Sequence, residues 1–191
     1  MRIIDTSEIK DNVKALLLEA NFNIGKRTLE LLKKSYERET EIVSKSVLDQ
    51  IIKNDEIAYD EGIPMCQDTG MAVIFLEIGQ EVNFTGINLY EAVNEGVKEA
   101  YDIGYLRKSV VTDPLFNRTN TKDNTPAIIY TDIVPGNRVK ITVAPKGFGS
   151  ENMSAVKMLK PSDGVEGIKN FVIDTVKKAG PNPCPPIVVG I

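Results

Sequence analysis

Cys66 and Cys184 are the two cysteines of a 191-residue chain that contains no histidine. Without histidine a chain lacks the Ser-His-Asp and Cys-His arrangements and the commonest zinc ligand. Acid–base chemistry then falls to Asp, Glu, Lys, Tyr, a metal-bound group or a residue of another chain. Both thiols lie in loops of glycine, proline and small polar residues beside an apolar run. Met65-Cys66-Gln67-Asp68-Thr69-Gly70 precedes residues 71–78, and Gly180-Pro181-Asn182-Pro183-Cys184-Pro185-Pro186 precedes residues 187–191. Prolines on both sides of Cys184 stiffen the backbone and remove donors, presenting the sulfur from a rigid turn. Two thiols so far apart, with no secretory leader, are poor grounds for a disulfide. Each is either a ligand or an incidental thiol. Lys146-Gly147-Phe148-Gly149-Ser150-Glu151-Asn152 is a glycine-bearing loop at a helix start near Ser150. Its N–H groups either cradle an anion beside Lys146 or form an ordinary turn. Arg107 and Arg118 are either solvated or bidentate partners for a carboxylate. Asp68 and Asp113 are the loop carboxylates placed to close turns or to move protons.

The elements that must position these residues follow from periodicity. Ser7 is expected to cap a helix over residues 7–21, with Ile9, Val13, Leu16, Leu17 and Ala20 at helical spacing. Further helices are predicted over 28–38, 40–53, 89–103 and 165–179. Residues 71–78 read as a buried strand. Strands at 127–134 and 139–144, joined by Pro135-Gly136-Asn137-Arg138, carry a hairpin signal. Residues 106–124 form a long polar loop of functional or lid-like character. Residues 187–191 read as a buried strand, and its apolar end predicts that the chain is part of a longer one. The pattern implies an α+β fold, N-terminal helices followed by a small mixed sheet with packed helices, in a single domain over residues 1–191. No internal repeat, low-complexity tract or linker is evident.

Composition bounds the function classes. Apolar residues at 42% and charged residues at 26% are ordinary for a globular chain. With 23 basic and 27 acidic side chains the net charge is −4, which argues against nucleic acid as a partner. No run approaches the roughly 20 apolar residues that span a bilayer, and a cytoplasmic location is expected.

Taken together, Cys66-Gln67-Asp68-Thr69-Gly70, Leu106-Arg107, Asn120-Thr121-Lys122-Asp123-Asn124-Thr125-Pro126-Ala127, the segment from Lys146 to Asn152 and that from Gly180 to Pro186 resemble a known family in order and spacing. They are similar to the iron–sulphur class I fumarate hydratases and the α subunits of L(+)-tartrate dehydratases. The resemblance implies a [4Fe-4S] cluster held by three cysteines, with one iron left open for a small dicarboxylic acid. Cys66 and Cys184 match the first two ligands; the third cysteine and a substrate-contacting histidine are expected beyond residue 191. Gln67 and Asp68 match residues beside the substrate, with Asp68 in the acid–base chemistry, and Arg107 matches a carboxylate-binding arginine. Gly147 and Gly149 match a pocket-lining loop, where the family usually carries Gly-Gly-Gly and this chain has Phe148 between them. The implied reaction is reversible hydration of fumarate to malate or, as the alternative, dehydration of L(+)-tartrate to oxaloacetate. The resemblance further implies a β subunit or C-terminal domain that completes the site with a catalytic threonine, a homodimer of αβ units, and no activity in the 191-residue chain alone. A non-catalytic dicarboxylate-binding or interaction module is the rival of another class.

Overall fold

The apolar run at Met71–Gly79 is strand β2, the centre of a three-stranded sheet in the computed structural model, which describes residues 1–183 and 187–191. β2 pairs in parallel with β4 (Ile128–Val134) and antiparallel with β5 (Val139–Lys146). Ala72, Ile74, Leu76 and Ile78 alternate into the core, as the two-residue period of a strand requires. They meet Ile9, Val13 and Leu17 of helix α1 (Thr6–Phe22) and Val93, Val97, Ala100 and Tyr101 of helix α4 (Leu89–Ile103). Helices α2 (Lys26–Arg38) and α3 (Ile42–Glu61) lie between α1 and β2 in the chain. The chain divides into two compact units, Met1–Lys146, which contains all of these elements, and Gly147–Ile191.

Several boundaries differ from the sequence expectation. Asp5, not Ser7, caps α1: its carboxylate accepts the Ser7 backbone N–H at 2.9 Å and the Ser7 hydroxyl at 2.6 Å. Asp5 also ends a short strand, β1 (Arg2–Asp5), paired in parallel with β3 (Val82–Thr85), and neither strand is evident from periodicity. α3 continues past Lys53 to Glu61 and stops at Gly62, whose φ of 62° closes the helix in the left-handed region. Residues 54–61, beyond the expected end of the helix, all lie on α3.

The expected hairpin is not a hairpin. β4 and β5 flank β2 and do not pair with each other. The Pro135-Gly136-Asn137-Arg138 turn instead wraps the end of β2: Gln80 N–H donates to Val134 O, Glu81 N–H to Gly136 O, and Gly79 N–H to Arg138 O. A Cβ on Gly79 would stand 2.3 Å from the Gly136 carbonyl oxygen, so glycine is required where the turn crosses the strand.

The second unit holds a single helical turn, α5 (Phe148–Glu151), a 3-10 turn at Pro161–Asp163 and helix α6 (Gly164–Ala179). The helix expected to start near Ser150 is thus one turn that ends at Glu151. Residues 187–191, expected as a strand, are irregular, with no partner strand among the described residues. The fold class is α+β as expected. No helix among the described residues is long and apolar enough to cross a membrane.

Candidate functional site

The loop from α3 to β2 carries three of the expected site residues and is anchored before it reaches them. Met65 N–H donates to Asn21 O at 3.0 Å, and Asn54 Nδ2 donates to Met65 O at 2.7 Å, so α1 and α3 both hold its entrance. Cys66 follows as an exposed, free thiol, and Gln67 is exposed beside it. Asp68 is half-buried, and its Oδ1 accepts the Gly70 N–H at 3.1 Å, a local turn that fixes the carboxylate against its own backbone. Thr69 and Gly70 are buried, and Gly70 takes a φ of 64°, which favours glycine.

Arg107 reaches the same place from α4. Leu106 N–H donates to Tyr101 O at 3.1 Å, turning the chain off the helix end. Thr69 Oγ1 then donates to the Arg107 carbonyl at 3.1 Å. That bond sets the backbone of the Cys66 loop beside the backbone of Arg107, whose side chain is exposed. Beneath them lie two fully buried polar side chains that sequence reasoning did not single out. Tyr101 donates its hydroxyl to Thr69 O at 2.8 Å and Gly70 O at 3.2 Å. Asn124 donates Nδ2 to Gly70 O at 3.0 Å and accepts the N–H groups of Ser109 and Val110 at 2.7 and 3.1 Å. Burial pushes the Tyr101 hydroxyl up to about 12, and the nearby Asp68 carboxylate adds to the rise. Tyr101 therefore stays a neutral donor across the physiological range.

The polar loop after α4 is closed by its own bonds. Val111 and Asn120 form an antiparallel bridge, and Asn120 Nδ2 donates to Lys108 O at 2.8 Å. Asp113 is a turn former: its carboxylate accepts the N–H groups of Leu115, Phe116 and Asn117, which hold its pKa below the usual value. Arg118 N–H donates to Asp113 O, placing Arg118 at the tip of this ribbon while Arg107 stands at its root. The structure thus brings Cys66, Gln67, Asp68 and Arg107 to one end of the sheet. Lys146 arrives there too, paired in register with Met71.

Gly147 and Gly149 belong to the second unit, Gly147 at the cap position of α5 and Gly149 within its single turn. Cys184 lies outside the described residues. Among the described residues no group of three or more His, Cys, Asp or Glu side chains is placed to hold a metal. Among the described residues, Cys66 has the donor chemistry an iron–sulphur cluster takes: an exposed free thiol on a loop pinned on both sides.

A family model described as fumarate hydratase (Fumerase) matches residues 10–191. A putative L(+)-tartrate dehydratase subunit alpha of Methanocaldococcus jannaschii is 46% identical over 189 residues, covering 96% of this chain and 66% of the relative. The L(+)-tartrate dehydratase subunit alpha of Escherichia coli strain UTI89 is 33% identical over 165 residues, covering 84% of this chain and 53% of the relative. That of Shigella boydii is 32% identical over the same length. The chain spans about two thirds of the first relative and about half of the others.

Proposed function

The chain belongs to the fumarate hydratase (Fumerase) family, and on that premise we propose that it is part of the α-type subunit of an iron–sulphur hydro-lyase acting on a small dicarboxylic acid. The observation that carries this reading is the 3.1 Å hydrogen bond from Thr69 Oγ1 to the Arg107 backbone carbonyl, which holds the loop of Cys66, Gln67 and Asp68 against the segment that carries the arginine. A thiol, a carboxyl group, an amide and a guanidinium at one sheet end suit elimination of water from a hydroxy-dicarboxylate.

Each residue has a part that its chemistry supports. The Arg107 guanidinium pairs with a substrate carboxylate and orients the carbon chain. Gln67 supplies an amide donor and acceptor alongside. Asp68 takes the proton from the carbon next to the carboxylate in one direction and returns it in the other. Backbone N–H groups at Gly147 and Gly149 would stabilise the charge that develops on the substrate. Cys66 would be one thiolate ligand of a [4Fe-4S] cluster, with Cys184 and a further cysteine of the whole protein as the others. When bound, such a cluster supplies a Lewis acid for the departing hydroxyl.

The substrate is fumarate and malate in the first reading. L(+)-tartrate is the second, favoured by the tartrate dehydratase names of the relatives. Their designation as subunit alpha supports a β-type partner that completes the site; pairing of αβ units as a homodimer is a further part of the proposal. The test is iron and acid-labile sulfide in the whole protein after anaerobic reconstitution, beside Cys66→Ala. About four of each per chain are expected in the parent, with loss of the intact cluster in the variant. A whole protein that takes up no iron would overturn the proposal and leave a dicarboxylate-binding module.

A further inference from the structure

Tyr101 and Asn124 meet at a single backbone group. Both are 0% exposed, both donate toward the Gly70 carbonyl, and neither carries a side chain that a substrate could reach. We infer that Tyr101 and Asn124 are positioning residues that lock the loop bearing Cys66, Gln67 and Asp68 to the segment bearing Arg107. The inference rests on the site proposed above and adds to it what fixes its geometry.

Packing alone does not account for either residue. Tyr101 faces the apolar core among Val97, Ala100 and Leu106. A phenylalanine would fill the same space without burying a hydroxyl, and buried hydroxyls are costly unless bonded. The hydroxyl's partners are the two carbonyls at the end of the Cys66 loop, at 2.8 and 3.2 Å. Asn124 adopts a φ of 61°, a left-handed conformation that asparagine tolerates better than most residues. Its amide satisfies three backbone groups on two segments: the N–H groups of Ser109 and Val110, just beyond Arg107, and the Gly70 carbonyl, just beyond Asp68. Thr69 adds a fourth link by donating to the Arg107 carbonyl itself. The two segments are not strands of one ladder, so no regular backbone pairing sets their separation. Side-chain hydrogen bonds do that work, from a helix on one side and from the residue that leads into β4 on the other.

This arrangement matters to chemistry because misplacing a reacting group by about 1 Å can cost on the order of a hundredfold in rate. An arginine that binds a carboxylate and an aspartate that moves a proton two or three bonds away must keep a fixed spacing. Tyr101→Phe removes one donor to the loop and touches nothing on the arginine segment. Asn124→Asp keeps the acceptor for Ser109 and Val110 and loses the donor to Gly70.

The test uses the whole enzyme with its partner subunit, and reads amide exchange and turnover separately. In Tyr101→Phe the amides of Ser109 and Val110 are expected to exchange at least about threefold faster, while those of Val13 and Leu17 in α1 hold their protection. Tyr101→Phe is expected to keep its iron and melt within a few degrees of the parent, Asn124→Asp to melt lower because it buries a carboxylate against the Gly70 carbonyl, and both, under conditions where they are folded, to lose about tenfold or more in kcat for fumarate hydration or tartrate dehydration. Faster exchange confined to Thr69 and Gly70, or spread equally into α1, would overturn the inference, as would an unchanged kcat in folded variants. If the parent holds no iron and turns over neither substrate, the proposed function fails. The exchange comparison then decides the positioning role on its own.

Discussion

Asp55 shows how a single side chain sets a pH dependence. It lies on α3 at 6% exposure, and one of its carboxylate oxygens has no hydrogen-bond partner among the described residues. Burial raises its pKa above the ordinary 3.8, against a smaller opposing pull from Asn54. The folded state therefore holds this proton more tightly than the unfolded state does. Its stabilising contribution is complete below the unfolded pKa and is lost as pH rises through the folded one. At neutral pH the ionised carboxylate is a net cost, and Asp55→Asn, of nearly the same shape, removes the charge. We expect the variant to melt higher than the parent at pH 7 by roughly 2–4 °C, corresponding to about 1 kcal/mol. The gap should close as pH approaches 4. Thermal melts of both proteins at the two pH values check this, and a lower melting temperature for Asp55→Asn at pH 7 would show that the carboxylate is satisfied. The residues of the candidate site pose a different question at this scale. Cys66, Gln67, Asp68 and Arg107 were legible because their types and local motifs sit in the sequence itself. Tyr101, Asn124 and Thr69 were not, because their partners are far along the chain: Asn124 bonds Gly70, and Thr69 bonds Arg107. On helical spacing Tyr101 reads as one more core residue of α4, and only its hydroxyl's partners distinguish it.

Between elements, the contact of α1 with α4 decides how closely the helices cover the sheet. Gly96 stands where α4 crosses α1: a Cβ there would lie 2.5 Å from the Lys10 carbonyl oxygen and 3.1 Å from Val13 Cβ. Glu99, one turn on, clasps Lys10 at 3.0 Å and Lys14 at 2.8 Å. Two effects oppose each other in Gly96→Ala. Helix propensity favours alanine by up to about 1 kcal/mol, while overpacking against a fixed backbone carbonyl costs about 1–3 kcal/mol. The carbonyl cannot rotate away as a side chain would, so packing wins and denaturant unfolding should show a net loss of stability. A gain would mean that the helices separate freely at this crossing. The same distinction between local and distant causes explains which elements the sequence revealed. α4 is found at its exact bounds, since its cap and its apolar period are local: Asn88 Oδ1 accepts the Tyr90 N–H at 2.9 Å. β1 and β3 are four residues each and exist through pairing with one another across most of the first unit. The Pro135-Gly136 turn has hairpin chemistry, yet β2 stands between the strands it joins, and no local signal records that.

For the whole molecule the governing quantity is the number of thiolates. The proposed cluster, held by three protein cysteines, would need one more than the two in these 191 residues, and one iron left open would need a substrate site around it. The chain also spans only about half to two thirds of the length of the relatives it matches, which are themselves named as α subunits. A dicarboxylate presents two anionic groups; in the proposal above Arg107 takes one of them, and the second calls for further cations or N–H donors. The 191-residue chain, purified and reconstituted with iron and sulfide without oxygen, is therefore expected to turn over neither fumarate nor L(+)-tartrate above background. If the proposal holds, a full-length α-type protein combined with a β-type partner turns over one of them, and loses that activity in air as an open iron would be released. Anaerobic assays with both substrates on the two preparations separate the cases. Sustained turnover by the 191-residue chain alone would mean that one subunit fragment carries a complete site, and that the proton carrier, the cations and the metal ligands must all be sought within it.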